Sequence, residues 1–323
     1  MSDVPASIFD GLLDEQAGGA TSGEWAFGHL AADPDLGTDL DADLGDPLAG
    51  VDTTVPDGVD PAELAQYCLM LGDDALVLSQ RVSAWCSRAP EMEDDVALAN
   101  VALDLLGQAR LLLARAAVAD PGAVPSLPEG SPVPPEDRLA FFRDAAQFRN
   151  VRLVEVGDGD FAHLVVRLLL FATARTALLG RLRTGTDRVL AAVAARGVKE
   201  VAYHRDWAAR WFLTLAQGTD ESRRRLLAAL DALWPLQPEL VTGHAVERTL
   251  AAAGAGVDPR DLRAEVDDVL DRVFAASGVD RPRHAPLAGV GGRTGRDGVH
   301  TEALSRLLAE LQVVARAHPT GRW

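Results

Sequence analysis

From Asp60 onward, apolar residues recur every three or four positions, in runs long enough for helices rather than strands. Asp60-Pro61-Ala62-Glu63 is a helix start, with Asp as N-cap, Pro at the first helical position and Glu at the third. The first helix is carried by Leu71, Ala75, Leu78 and Val82 to Trp85. Pro90 opens a second, carried by Ala97, Val101, Leu105 and Leu112 to Val118, where Asp120-Pro121-Gly122 stops it. The proline-rich residues 121–135 read as an exposed loop. A shorter helix is predicted over 136–148 and a brief extended segment over 151–156. A third long helix follows over 160–183, then a fourth over 187–217 with Gly197 inside it. Thr219 or Asp220 caps a fifth helix. Asp258-Pro259-Arg260-Asp261 opens a sixth that ends at Gly278, and a last helix covers 301–317 after an irregular Gly/Arg/Pro-rich stretch. Four long helices in two pairs predict an all-α bundle.

Composition agrees, because Ala, Leu and Val supply most of the apolar content. Charge divides the chain. Residues 1–60 hold fourteen Asp or Glu and no Lys or Arg, so of the net −17 only −3 belongs to residues 61–323. The expected organisation is an acidic, disordered extension (1–60) and one helical domain (61–323). Apolar islands interrupt the extension at Ile8, Phe9, Leu12 and Leu13, and at Trp25, Phe27 and Leu30. No basic face points to nucleic acid, and the acidic extension would repel both nucleic acid and anionic membranes. Polar residues interrupt the most apolar stretches, so no run reaches the length of about 18 residues that a membrane span needs. No leader is visible, and a cytoplasmic protein is expected. Cys68 and Cys86, placed on one helix, stand too far apart to pair and read as reduced thiols.

Candidate chemistry lies in polar residues set within apolar helices. The second helix is apolar nearly all round, which predicts burial. Asn100, Asp104 and Gln108 nevertheless form one polar stripe along it. Asp73 and Asp74 sit on the first helix; Lys199, Glu200, Tyr203 and His204 sit on the fourth. Carboxylate-bridged di-metal bundles take a Glu from each of two helices and Glu-x-x-His from each of two others. Asp73 and Asp104, 31 positions apart, suit facing places on an antiparallel pair. The pattern then fails. Gly107 stands three after Asp104, Tyr203 stands three after Glu200, and His204 is rotated about 100° away. The third helix offers only Leu169-Leu170-Phe171 where a carboxylate is needed. Asp73, Asp104, Glu200 and His204 therefore read as a degenerate di-metal set in a dead site, with no metal, no cofactor and no catalytic residue in this chain. Lys199, Arg110 or Arg81 are the expected counter-charges. The alternative is a self-sufficient di-metal oxygenase using those four residues.

Other signals are weaker. His163, His244, His284 and His318 lack metal-ligand spacing, His300 suits a helix start, and Ser79 has no evident base. The Gly/Arg-rich residues 289–298 lack a preceding strand and a P-loop Lys, and read as a structured loop; a contact to coenzyme A phosphates stays open there.

Tyr67–Arg81 (YCLMLGDDALVLSQR), Trp85, Ala89-Pro90-Glu91 and Ala97–Arg110 (ALANVALDLLGQAR) closely resemble the structural (C) subunit family of bacterial phenylacetyl-CoA epoxidase. The resemblance continues through Phe141–Asn150 (FFRDAAQFRN), Lys199–His204 (KEVAYH), Gly218-Thr219-Asp220, Gly298–Gln312 (GVHTEALSRLLAELQ) and Trp323. It covers about residues 62–323 and leaves the extension outside. It implies a ferritin-like bundle in a hetero-oligomer with a homologous catalytic subunit that carries the di-iron centre, and with a reductase. That assembly epoxidises the ring of phenylacetyl-CoA with O2 during phenylacetate degradation, and this subunit is its non-catalytic member. A third reading is a helical adaptor whose acidic extension is the functional part.

Overall fold

Asp60 caps the first helix as its sequence requires, its carboxylate accepting from the backbone N–H groups of Ala62 (2.9 Å) and Glu63 (3.0 Å), an arrangement worth about 1 kcal/mol. The computed structural model describes residues 45–157 and 159–321; the extension up to residue 44, with its apolar islands, and Trp323 lie outside them. The chain runs through α1 (Pro61–Ser83), α2 (Met92–Ala119), α3 (Pro135–Phe141), α4 (Arg152–Glu155) and α5 (Phe161–Leu182). It continues through α6 (Arg188–Gln217), α7 (Asp220–Leu233), α8 (Ala245–Ala252), α9 (Arg263–Ser277) and α10 (Glu302–Ala317). The fold is all-α, with no strand among the described residues.

Two closely packed helix pairs, α1 with α2 and α5 with α6, make the body. The shorter helices pack around it, α3 on α2, α8 on α1, and α7 and α9 on α5 and α6. α5 is sheathed almost completely, which is why it tolerates Leu168–Phe171 without a polar break. By length and composition α2 and α5 are each apolar enough to cross a membrane, contrary to the expectation from their polar interruptions. The bundle buries 94% of the most apolar window of α5, as befits a core helix, but only half of that of α2. The predicted all-round burial of α2 is therefore corrected: one flank, carrying Met92, Val96, Leu103 and Leu106, faces outward.

Order also begins before Asp60. Leu48 and Val59 are buried, and Arg115 donates to Thr53 O (2.8 Å), so residues 45–60 lie as a strap along the bundle. The predicted helix over 136–148 stops at Phe141 and resumes as a single 3-10 turn at Ala145–Gln147. Arg143 causes the break, donating back to Leu139 O while its guanidinium turns inward to Asp73. The extended segment expected over 151–156 is instead the single helical turn α4, Arg152–Glu155, between Val151 and Val156. No strand is there to pair with them, and Val151 N is held by Asp74 while Arg152 is held by Glu239. Cys86 falls beyond the end of α1 rather than on it, and both cysteines are free thiols. Burial pushes the Cys68 thiol far up, so it stays protonated.

Candidate functional site

The four candidate di-metal positions, Asp73, Asp104, Glu200 and His204, separate into two arrays. Ser79 Oγ donates to Ala102 O (2.7 Å), and Gly72 abuts Leu112 and Leu113, which fixes the register of α1 on α2. Asp104 is thus level with a point one to two turns beyond Asp73, roughly 6–12 Å along the axis. The expectation that they face each other is corrected by this register.

Three of the positions meet on the seam between the antiparallel α2 and α6. His204 Nε2 lies 3.0 Å from Asp104 Oδ2, with the imidazole buried and the carboxylate partly exposed. Glu200 accepts from Gln108 Nε2 (3.1 Å) and Arg196 Nε (2.8 Å). Gly197 makes room for this pairing, because a Cβ there would press on the Gln108 amide and on Leu179. The stripe of Asn100, Asp104 and Gln108 passes from exposed through half-buried to buried. Each four-residue step advances about 40° around the helix, which carries the stripe off one face.

The end of this seam holds a feature that sequence reasoning missed. Asp94 Oδ1 accepts from both Trp207 Nε1 (3.2 Å) and Trp211 Nε1 (2.8 Å). Phe161 packs edge-on against Trp85, Trp207 and Trp211, with centroids 4.9–6.0 Å apart. The spacing of Trp207 and Trp211, one turn apart on α6, was the available signal.

The second array surrounds Asp73 and Asp74. Both oxygens of Asp73 are taken by the Arg143 guanidinium, and Oδ2 also accepts from Arg149 N (2.8 Å). Asp74 receives Arg296 at both oxygens (3.0 and 2.8 Å) and Val151 N (2.8 Å). Burial pushes the Asp74 carboxyl above its ordinary range, against the pull of Arg296 and Arg175. Burial likewise lowers Arg175 to about 10, opposed by Asp74. The counter-charges are therefore Arg143 and Arg296, not Lys199, Arg110 or Arg81. Arg81 donates to Glu155 O and Arg110 pairs with Glu136. The sequence hid this because both true partners come from loops far along the chain.

The remaining candidates hold structure together. Ser79 serves the α1–α2 register. His163 completes a capping box with Asp160, and His244 caps α8. His300 is bound at Nδ1 to the buried Glu155 (2.6 Å) and at Nε2 to Phe148 O (3.0 Å), which replaces the simple capping role expected of it. Burial disfavours its charged form, yet the Glu155 carboxylate outweighs burial and raises its pKa. The 289–298 loop packs on the bundle. Gly295 lies against Asn150 O and Glu239, where no side chain fits, and Arg296 points into the core. A cleft of about 260 Å³ beside it is lined by Arg152, Glu239, His244 and Asp297, with Arg152 already engaged by Glu239 (3.0 Å).

Two comparisons bear on this arrangement. A family model described as phenylacetic acid catabolic protein matches residues 51–323. The C subunit of 1,2-phenylacetyl-CoA epoxidase from Escherichia coli (strain K12) is 40% identical over 261 residues, which cover 81% of this chain and 99% of that protein.

Proposed function

This chain belongs to the phenylacetic acid catabolic protein family, and on that premise we propose that it is the metal-free structural subunit of a phenylacetyl-CoA epoxidase. It works in the cytoplasm beside a separate catalytic subunit that holds the di-iron centre, and with a reductase. The substrate and the partners are carried over from the similarity to the E. coli epoxidase protein.

The observation that supports a non-catalytic role is the occupation of the would-be ligands by the chain's own cations and amides. Both Asp73 oxygens are held by Arg143, and both Glu200 oxygens by Gln108 and Arg196. Only Asp104 and His204 remain as a facing pair of donors. Two donors on one seam do not fit a di-metal centre, which needs bridging carboxylates and an imidazole for each metal. A guanidinium at the first carboxylate adds positive charge where the metals would bring theirs. The bundle therefore contributes rigidity and surface to the assembly, and no proton or oxygen chemistry is assigned to its residues.

The test is iron content. The isolated full chain is expected to bind about zero iron from anaerobic ferrous solution, and its complex with the catalytic subunit to hold two iron ions per pair. Two irons in the isolated chain would overturn the proposal and make Asp73, Asp104, Glu200 and His204 the ligands to mutate.

A further inference from the structure

The outward flank of α2 carries a seam that no described residue covers. Met92, Val96, Ala99, Leu103 and Leu106 follow one another at steps of four, three, four and three, the spacing at which one helix meets another in a left-handed coiled coil. Met92 is 77% exposed and Leu103 63%, with Val96 and Leu106 nearly half exposed. The contacts of α2 with α1 and α6 leave from other faces, at Ala102 O, Asp104 and Gln108. Leu103, Leu106, Gly107 and the stem of Arg110 frame a hole of the kind that receives a knob from a facing helix. Gly107 has no side chain to fill it and stands in open space, and the Arg110 guanidinium is already held by Glu136 (3.7 Å). Tyr203 of α6 lies alongside, next to the His204–Asp104 pair.

Three covers compete for this seam: the chain's own first 44 residues, a second copy, and the catalytic subunit. The first 44 residues start nearby, since Gly45 O accepts from Arg110 Nη2 (3.4 Å). The seam from Met92 to Leu106 is about 21 Å long and calls for a straight helix of about 15 residues. Among residues 1–44 no stretch free of Gly and Pro exceeds seven residues, and both residues oppose a helix interior. Area favours the catalytic subunit over a second copy. Met92, Val96, Leu103, Leu106 and Tyr203 together expose roughly 500 Å², most of the ~800 Å² that one partner gives to a stable interface. The other exposed large apolar residues among those described, Val118, Leu227, Leu287, Val290, Val313 and Val314, stand singly or in pairs elsewhere. A second copy on the seam would leave the catalytic subunit no face of this size.

We propose that the α2 flank is the docking face for the catalytic subunit, one long helix of which lies along the seam beside Tyr203; the proposal rests on the reading of this chain as the structural subunit. The covering helix has apolar residues at the same alternating steps, and one of them enters the hole above Gly107. It also brings polar groups. Asn100 is exposed and the Asp104 side chain is 30% exposed beside the seam, and covering them without hydrogen-bond partners would be costly. The polar pair sets the register of the two helices, and the apolar steps supply the area.

The experiment titrates the full chain with the catalytic subunit by calorimetry and reads the dissociation constant. Leu103→Glu is expected to weaken binding at least 100-fold, and Leu227→Glu on α7 to change it less than twofold. Gly107→Leu separates docking from folding. It is expected to raise the thermal midpoint of the isolated chain, because Leu favours a helix over Gly and has open space there, yet to weaken binding at least tenfold by filling the hole. A photoreactive p-benzoylphenylalanine at Val96 identifies the occupant, and its expected cross-link is to the catalytic subunit. Binding unchanged by Leu103→Glu or by Gly107→Leu, a cross-link to a second copy or to residues 1–44, or no cross-link would overturn the docking and leave the proposed function standing. Failure of the unaltered chain to bind the catalytic subunit would overturn both.

Discussion

Replacing Arg296 by Met tests whether the loop between α9 and α10 is fastened to the core by charge. The guanidinium gives Asp74 two hydrogen bonds, and its Nη1 also donates to Met70 O and Arg149 O at 2.8 Å each. Both side chains are less than a tenth exposed. Met fills much of the same volume and removes the charge. It leaves a buried carboxylate with Val151 N as its remaining direct donor, and two carbonyls short of a donor. Breaking a buried pair from one side costs about 3–5 kcal/mol, against a total stability of about 5–15 kcal/mol for a domain. The pH dependence has a defined sign. Burial already raises the Asp74 carboxyl, and losing Arg296 raises it further. A carboxyl whose pKa is higher when folded favours the folded state at low pH and gives up that contribution as pH rises through the folded value. The deficit of Arg296→Met should therefore be larger at pH 7.5 than at pH 5.5. Urea unfolding followed by circular dichroism measures both. Adding Asp74→Asn should recover much of the loss, because the two sites are coupled. A loss below about 1 kcal/mol, typical of an exposed pair, or strict additivity in the double variant would refute the reasoning.

His300 carries a second pH effect. Its raised pKa stabilises the fold fully below the unfolded value of about 6.5 and ceases to do so as pH rises through the folded value; His300→Gln should flatten the fall of thermal midpoint with pH from 6.5 upward, and an unchanged profile would exclude the Glu155 pair as its cause. Gly295→Ala forces a Cβ against Asn150 O and should cost about 1–3 kcal/mol or more. Gly107→Ala, on the exposed flank of α2 with open space around its Cβ, should instead stabilise by about 0.5–1 kcal/mol. Thermal midpoints of the two glycine variants moving in the same direction would contradict both assignments.

The long helices were legible because their signals are local. Asp60, Asp160, Asp187 and Thr219 each cap the helix that follows within three residues, and apolar spacing does the rest. Where the sequence misled, the deciding contact was distant. Arg143 breaks the helix predicted over 136–148 by turning to Asp73, 70 positions away. Asp74, 77 positions from Val151, helps hold in a helical turn a stretch whose valines suggested extension. The candidate site divides in the same way. Loss of ligand spacing at Gly107 and Tyr203 could be read directly. The split into two arrays could not, since it depends on the register that Ser79 and Gly72 set between α1 and α2.

Within that register the bundle carries acidic residues in its interior by pairing them with guanidinium groups. The three most deeply buried aspartates of the long helices have each acquired a guanidinium from another element: Asp187 at the start of α6 from Arg115 on α2 (2.6 Å), Asp73 from Arg143, and Asp74 from Arg296. Such pairs add little net stability compared with apolar replacements, since desolvation offsets most of their attraction. Their geometric demand is strict, however, because an unpaired partner is costly. Two of the three cations come from loops, so the segments over 142–150 and 287–299 can take only the path that delivers Arg143 and Arg296 to α1. Gly295 follows from that path, as the backbone must pass against Asn150 O for Arg296 to enter. Neutralising the interior and fixing the outer loops are thus one arrangement, and it gives the bundle a defined surface.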